Sequence, residues 1–348
     1  MLGFDARAAR AAWTIFVLAL ALATIYFIRR TLMIFVISLL VAYLLGPAVN
    51  LFERFLEKKF SRTASLAIVY LALMGAAGTG VSVVGSKVAK EAVQLGKTLP
   101  NYLQNPQLVN EFPLPEALKP YRESIVDFIK QQWSSRSEEI VGLLTDAGAG
   151  LLDALSNIVF IILIPILSFF FLKDGESIRL TILEQFIDDD RRRMVEDLLD
   201  DIHLLLVHFM RAMVLLSLST FVVFSAVLSL LDVPFAILLS ALAAMGEFVP
   251  AAGPVATGLA IIVIAGVAGY PHLLWLLVFF LAYRLFLDYI LQPYVMGHGV
   301  ELPPLAIIFG ILAGEQIAGI LGMFLSIPAL ATLRIIYVRY RKARILAG

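Results

Sequence analysis

Two long apolar stretches of this chain are broken in their interiors by glycine, proline and a single carboxylate, which limits its fold more than any other feature. The clearer one reads Ala-Ala-Met-Gly-Glu-Phe-Val-Pro-Ala-Ala-Gly-Pro from Ala243 to Pro254. A helix cannot run straight through Pro250, Gly253 and Pro254, because proline removes a backbone donor and glycine holds the helical conformation weakly. At membrane depth the lost hydrogen bonds must be made by other protein groups or by water in a cavity. A plain anchor has no use for Glu247 there. Broken helices with an enclosed acid are a pattern of transporters and channels, so the residues point to solute movement across a membrane.

Composition supports that environment. Of 348 residues, 60% are hydrophobic and only 16% charged, too apolar a balance for a water-facing surface of this size. Lys plus Arg and Asp plus Glu each total 27, so zero net charge gives no reason to expect nucleic acid as a partner. The chain has no cysteine, which excludes disulfides, zinc-thiolate sites and thiol nucleophiles. His203, His208, His272 and His298 follow no metal-ligand spacing, and neither a Walker loop nor a Gly-x-Ser-x-Gly elbow is present. The residues therefore call for no cofactor or metal, and neither an ATP-driven pump nor an enzyme is expected of this chain.

A helix needs about 20 apolar residues to cross the hydrocarbon core. Such spans fit Ala11–Ile28, Thr31–Leu51, Thr63–Gly85, Leu151–Leu172, Val207–Leu231 and Tyr270–Val295. The two broken stretches are Pro234–Gly269 and Pro303–Tyr340, each readable as a kinked span with a re-entrant arm or as two short spans. The expected fold is an all-α integral membrane protein with about eight transmembrane segments, two of them broken or re-entrant. Basic residues in short loops set orientation: Arg54, Lys58, Lys59 and Arg62 after the second span, and Arg334, Arg339, Arg341, Lys342 and Arg344 in the tail, place both termini in the cytoplasm. Arg29 and Arg30 fall on the other side and are read as snorkelling to the headgroups.

Five regions follow. Residues 1–86 hold three spans, 151–173 the fourth, and 207–348 a bundle with the broken helices. Residues 87–150 form an extracytoplasmic segment that starts polar, breaks at Pro100, Pro106, Pro113, Pro115 and Pro120, then turns helical. There Ile125, Phe128, Ile129 and Trp133, then Ile140, Leu143 and Leu144, make an apolar stripe. Residues 174–206 form a cytoplasmic amphipathic segment. Asp188, Asp189 and Asp190 within it suit the start of a long helix that runs into the fifth span.

Each candidate has a functional and a bland reading. Glu247 is either a carrier of a proton or cation, or a solvated carboxylate at a helix end. Glu315, followed by Gln316, sits in the other broken stretch, where Ala313-Gly314-Glu315 echoes Met245-Gly246-Glu247. It either joins the path or caps a hairpin tip in water. Pro250, Gly253 and Pro254 either open a segment whose carbonyls line a path or make a turn between packed helices. Arg284 and Asp288, four apart, share a helix face and read as a structural ion pair.

Four motifs then resemble one family. They are Pro165-Ile166-Leu167-Ser168-Phe169-Phe170-Phe171-Leu172-Lys173-Asp174-Gly175, Glu247-Phe248-Val249-Pro250-Ala251-Ala252-Gly253-Pro254, Gln292-Pro293-Tyr294-Val295-Met296-Gly297, and Gly319-Ile320-Leu321-Gly322 leading to Ile327-Pro328. Their order and the layout of spans resemble the autoinducer-2 exporter family, the PerM-like permeases. The resemblance implies a bacterial inner-membrane permease and a homo-oligomer, with five subunits as one candidate. It also implies export of a small solute such as autoinducer-2, or exchange of a monovalent cation for protons. Arg211-Ala212-Met213 departs from the Arg-Gly-Gln that many members carry.

The expected partners are the lipid bilayer, a small solute or monovalent cation, and protons. The path would be lined by Glu247, Pro250, Gly253, Pro254, Gln292, Glu315, Gly319 and Gly322, with Gln292 offering a neutral hydrogen bond. A passive oligomeric channel and a membrane scaffold without transport are the alternatives.

Overall fold

A computed structural model describes residues 6–56, 61–104, 116–131, 162–249, 252–296 and 302–346. No strand occurs among them. In chain order the helices are α1 (Ala6–Phe27), α2 (Arg29–Leu56), α3 (Arg62–Gln104), α4 (Ile164–Glu184), α5 (Asp189–Leu230), α6 (Ala236–Gly246), α7 (Ala252–Val267), α8 (Leu273–Phe286) and α9 (Pro304–Leu346). Between α3 and α4, a 3-10 turn at Glu116–Tyr121 leads into helical residues 122–131. Beyond α8 come a π-helical turn, Leu287–Leu291, and a last turn, Gln292–Met296.

Among the described residues, five helices are long and apolar enough to cross a membrane: Thr31–Phe52, Arg62–Tyr102, Asp189–Leu230, Leu273–Val295 and Pro304–Arg341, the last of them interrupted at Ala318 and Gly319. Together with their exposed Leu, Ile, Val and Phe side chains, they make this an all-helical, multi-pass membrane protein. Half of the expected fourth span, 151–161, lies outside the described residues.

The chain divides into two units. The first comprises residues 1–74 and 157–176. Its core is Val49 of α2 with Leu66, Val69 and Tyr70 of α3, and Phe169 and Leu172 of α4 pack against them. Pro165 supplies a carbonyl that accepts the Tyr70 hydroxyl at 2.8 Å, so the α4 motif meets α3 through its backbone as well as its rings. α1 turns Trp13, Ile15, Phe16 and Leu18 outward, as a lipid-facing helix does.

The second unit comprises residues 75–156 and 177–348, and α5 organises it. The Asp188 side chain caps α5, accepting from the Asp190 N–H at 3.0 Å and the Arg191 N–H at 3.4 Å. Three successive acids start this helix because its free N–H groups favour negative charge. It then continues unbroken for 42 residues. Phe209, Met213, Leu216, Thr220, Phe224 and Leu228, spaced three and four apart, form its buried stripe. Near its start, Arg179 of α4 pairs with Glu196 at 3.4 Å and Asp200 at 2.9 Å. Arg339 of α9 donates to Asp197 at 2.9 Å and Asp201 at 2.8 Å.

Two local expectations change. Pro100 does not end α3, which runs on to Gln104. In the 122–131 helix the buried residue is Val126, while Phe128 is 62% exposed and Ile125 and Ile129 are half-buried. Three-four spacing finds an apolar face but not the side that has a partner. Trp133, Ile140, Leu143 and Leu144 lie outside the described residues, as do Pro106, Pro113 and Pro115.

Candidate functional site

The first broken stretch folds back on itself. α6 is 11 residues long and α7 is 16, roughly 16 Å and 24 Å at the helical rise, each short of the hydrocarbon thickness of about 30 Å. α6 tightens at its end into i→i−3 bonds, Glu247 N–H to Ala244 carbonyl and Val249 N–H to Gly246 carbonyl. A methyl group added at Gly253 would overlap the Gly246 carbonyl, and one at Gly246 would lie 2.7 Å from the Thr257 hydroxyl. Only glycine lets the two backbones approach so closely. Pro254 lies in the first turn of α7, where a missing N–H loses nothing. Pro250 lies outside the described residues.

This turn delivers Glu247 to α5 and α8. The Thr220 hydroxyl donates to its Oε1 at 3.3 Å, and Arg284 Nη1 donates to its Oε2 at 3.4 Å. Arg284 also donates through Nε to Asp288 Oδ2 at 2.8 Å. Tyr283 connects the hydroxyls: its OH lies 3.1 Å from Thr220 Oγ1 and donates to Ser219 Oγ at 3.2 Å. The Ser217 hydroxyl donates to the Ala244 carbonyl at 3.0 Å, fixing the end of α6 on α5. Side-chain exposure rises from 11% at Glu247 through 28% at Arg284 to 37% at Asp288, so one acid is inner and the other outer.

Asp288 belongs to the π-helical turn, which closes with an i→i−5 bond from the Gln292 N–H to the Leu287 carbonyl. Such single turns widen the helix and rotate everything after them, and they recur at functional sites. Gln292 follows directly and is half-buried.

The second broken stretch is a hairpin. Ala318 (φ −145°, ψ 20°) and Gly319 (φ 59°, ψ −139°) interrupt α9. A methyl group added at Gly322 would overlap the Gly314 carbonyl, and one at Gly310 would lie 3.4 Å from Ser326 Cβ. Residues so far apart in sequence meet only if the chain reverses between them. Glu315 is exposed near the tip, with Gln316 and Gly319, whereas Gly322 is buried between the arms. The glycines of the two echoing triplets, Gly246 and Gly314, thus do the same job, each closing a fold-back against a second glycine.

The hairpins meet through Phe324, which the sequence did not single out. Its ring lies 5.3 Å from Phe248, beside Glu247, and 5.4 Å from Phe209 of α5. Thr220, Ser217, Ser219 and Tyr283 were also not foreseen. Three hydroxyls within four residues of an apolar span, Ser217 to Thr220, were the available signal.

The protein is thus a multi-pass helical membrane protein with an enclosed acid at a helix break. The chain belongs to the AI-2E transporter family: the family model matches residues 15–342. It is 22% identical over 335 residues to "Putative transport protein YrrI" of Bacillus subtilis strain 168, covering 95% of this chain and 93% of that protein. It is 23% identical over 325 residues to "Putative transport protein YueF" of the same organism, covering 90% and 87%. A 127-residue portion is 34% identical to "Putative transport protein MT0215" of Mycobacterium tuberculosis, covering 36% of this chain and 35% of that protein. Family and fold together support a role in membrane transport.

Proposed function

We propose that the chain is a secondary transporter that exchanges a monovalent cation for protons at Glu247, Arg284 and Asp288. The observation that carries this reading is that two carboxylates share one guanidinium at the break of a helix. With both acids ionised, the cluster has one negative charge in excess. In a poorly solvated setting that charge calls for neutralisation. Either a proton or a monovalent cation satisfies it, and neither is needed once the other is bound. Competition for one charge is what exchange requires. The hydroxyls of Thr220, Tyr283 and Ser219 offer neutral oxygens beside it, suited to a weakly held cation.

On this reading the short arms of both hairpins re-enter the bilayer rather than cross it, and α6 and α7 are too short to cross singly. The protein sits in a bacterial inner membrane with both termini cytoplasmic, following the basic loops. It assembles as a homo-oligomer and catalyses no covalent chemistry. Glu315 and Gln292 line the approach to the cluster, and Glu247 is the coupling acid.

The test uses purified protein in liposomes that enclose a pH-sensitive dye, with sodium, lithium or potassium added outside. Cation-driven proton movement in the wild type, lost in Glu247→Gln, is the expected result. Absence of proton movement with every cation would sink the exchange reading and leave solute export or a passive channel in its place.

A further inference from the structure

α6 lacks a cap of its own. Phe235 stands at its cap position with φ 60°, and its side chain makes no capping bond. Asp232, three residues earlier, also has positive φ, at 52°. Both are side-chain-bearing residues in the left-handed region, an entry that stays ordered only when its surroundings hold it. A helix of 11 residues is marginal on local propensity, and its first N–H groups have no partner within it.

The missing acceptor comes from far away in the chain. Glu91 Oε2 of α3 accepts the Leu238 N–H at 2.8 Å, across a sequence separation of 147 residues. Leu238 is in the first turn of α6, where a carboxylate is favoured both as a hydrogen-bond acceptor and by the helix dipole. The other end of α6 is held by Ser217, and one residue beyond it comes Glu247, bonded to Thr220. α6 is thus a short rod pinned at two ends, to α3 at its start and to α5 at its finish. Loss of the first pin would leave α6 held only at its finish, so the orientation and order of the last turn that presents Glu247 to Arg284 would rest on Ser217 and Thr220 alone.

We infer that Glu91 is a positioning residue for the Glu247 site, holding the hairpin from α3 through the Leu238 amide. The inference rests on the exchange reading given above. Glu91 does not touch the transported ion. It sets how well Glu247 and Arg284 are aligned to receive it.

Two variants and two readouts test this. Glu91→Ala removes the acceptor, whereas Glu91→Gln keeps a carbonyl oxygen at the same reach. Amide hydrogen exchange of the peptide over 236–246 reports the cap directly, without transport. It should speed up about fivefold or more in Glu91→Ala and stay within about twofold of wild type in Glu91→Gln. In liposomes, the cation concentration giving half-maximal proton movement should rise severalfold in Glu91→Ala and recover in Glu91→Gln. Unchanged amide exchange in Glu91→Ala would overturn the cap. Faster amide exchange with an unchanged half-saturating concentration would overturn the positioning role and leave a purely structural one. Failure of the wild type to move protons at all would remove the exchange reading, and this inference with it. That failure is distinct from a working wild type that is indifferent to Glu91.

Discussion

Where Glu247 meets Arg284, opposite charges 3.4 Å apart are backed by a second carboxylate, so removing Arg284 leaves two acids without their counterion, whereas removing Glu247 leaves Arg284 paired with Asp288. Arg284→Met should lower stability by about 1–3 kcal/mol, the cost of an inadequately paired enclosed charge. Arg284→Met combined with Glu247→Gln should recover part of that loss, because the inner uncompensated charge is gone and only the more exposed Asp288 is left unpaired. Thermal unfolding in detergent measures both, and a double variant no more stable than Arg284→Met would mean the pair does not hold the site. Thr220→Val should raise the half-saturating cation concentration a fewfold while leaving the fold intact, since it removes one donor to Glu247 and little volume. Glu247 was legible in the sequence as a lone acid among apolar residues, and the Arg284–Asp288 pair followed from their four-residue spacing. Their union was not legible, because Thr220 and Arg284 reach Glu247 across 27 and 37 positions. Periodicity says nothing over such separations.

The helical elements show the same division. Proline and glycine marked both broken stretches, yet Pro47, Pro100 and Pro328 sit inside helices without ending them. What reverses the chain is glycine packed on glycine. Gly253→Ala and Gly322→Ala should each cost about 1–3 kcal/mol, since the new methyl meets a backbone carbonyl that cannot move alone. Gly319→Ala should cost about as much through strain at φ 59°, ψ −139°, although open space surrounds it. Gly175→Ala, with nothing near the added methyl in its helix, is the control and should be neutral or slightly stabilising. Unfolding midpoints of the four variants in one detergent would separate these cases. Equal midpoints for Gly322→Ala and Gly175→Ala would refute the close approach of the second hairpin.

For the whole molecule, the absence of cysteine makes any introduced thiol unique, so sidedness can be read in cells with a membrane-impermeant reagent. Tyr121 is 61% exposed and Ile187, in the turn before α5, is 98% exposed. Tyr121→Cys should label from outside only, and Ile187→Cys only after the cells are opened. Labelling of both from one side would overturn the proposed orientation. The sequence by itself determined the solvent, the helical class and the family, because burial in lipid demands long apolar runs and internal backbone bonding wherever they occur. It also determined the start of α5, because capping is local. Only the tertiary structure decided that Glu247, Arg284 and Asp288 form one cluster, that Phe324 joins the two hairpins, and that Glu91 caps α6. Each depends on which faces of distant helices meet, and that is settled by packing and close backbone approach rather than by any pattern along the chain.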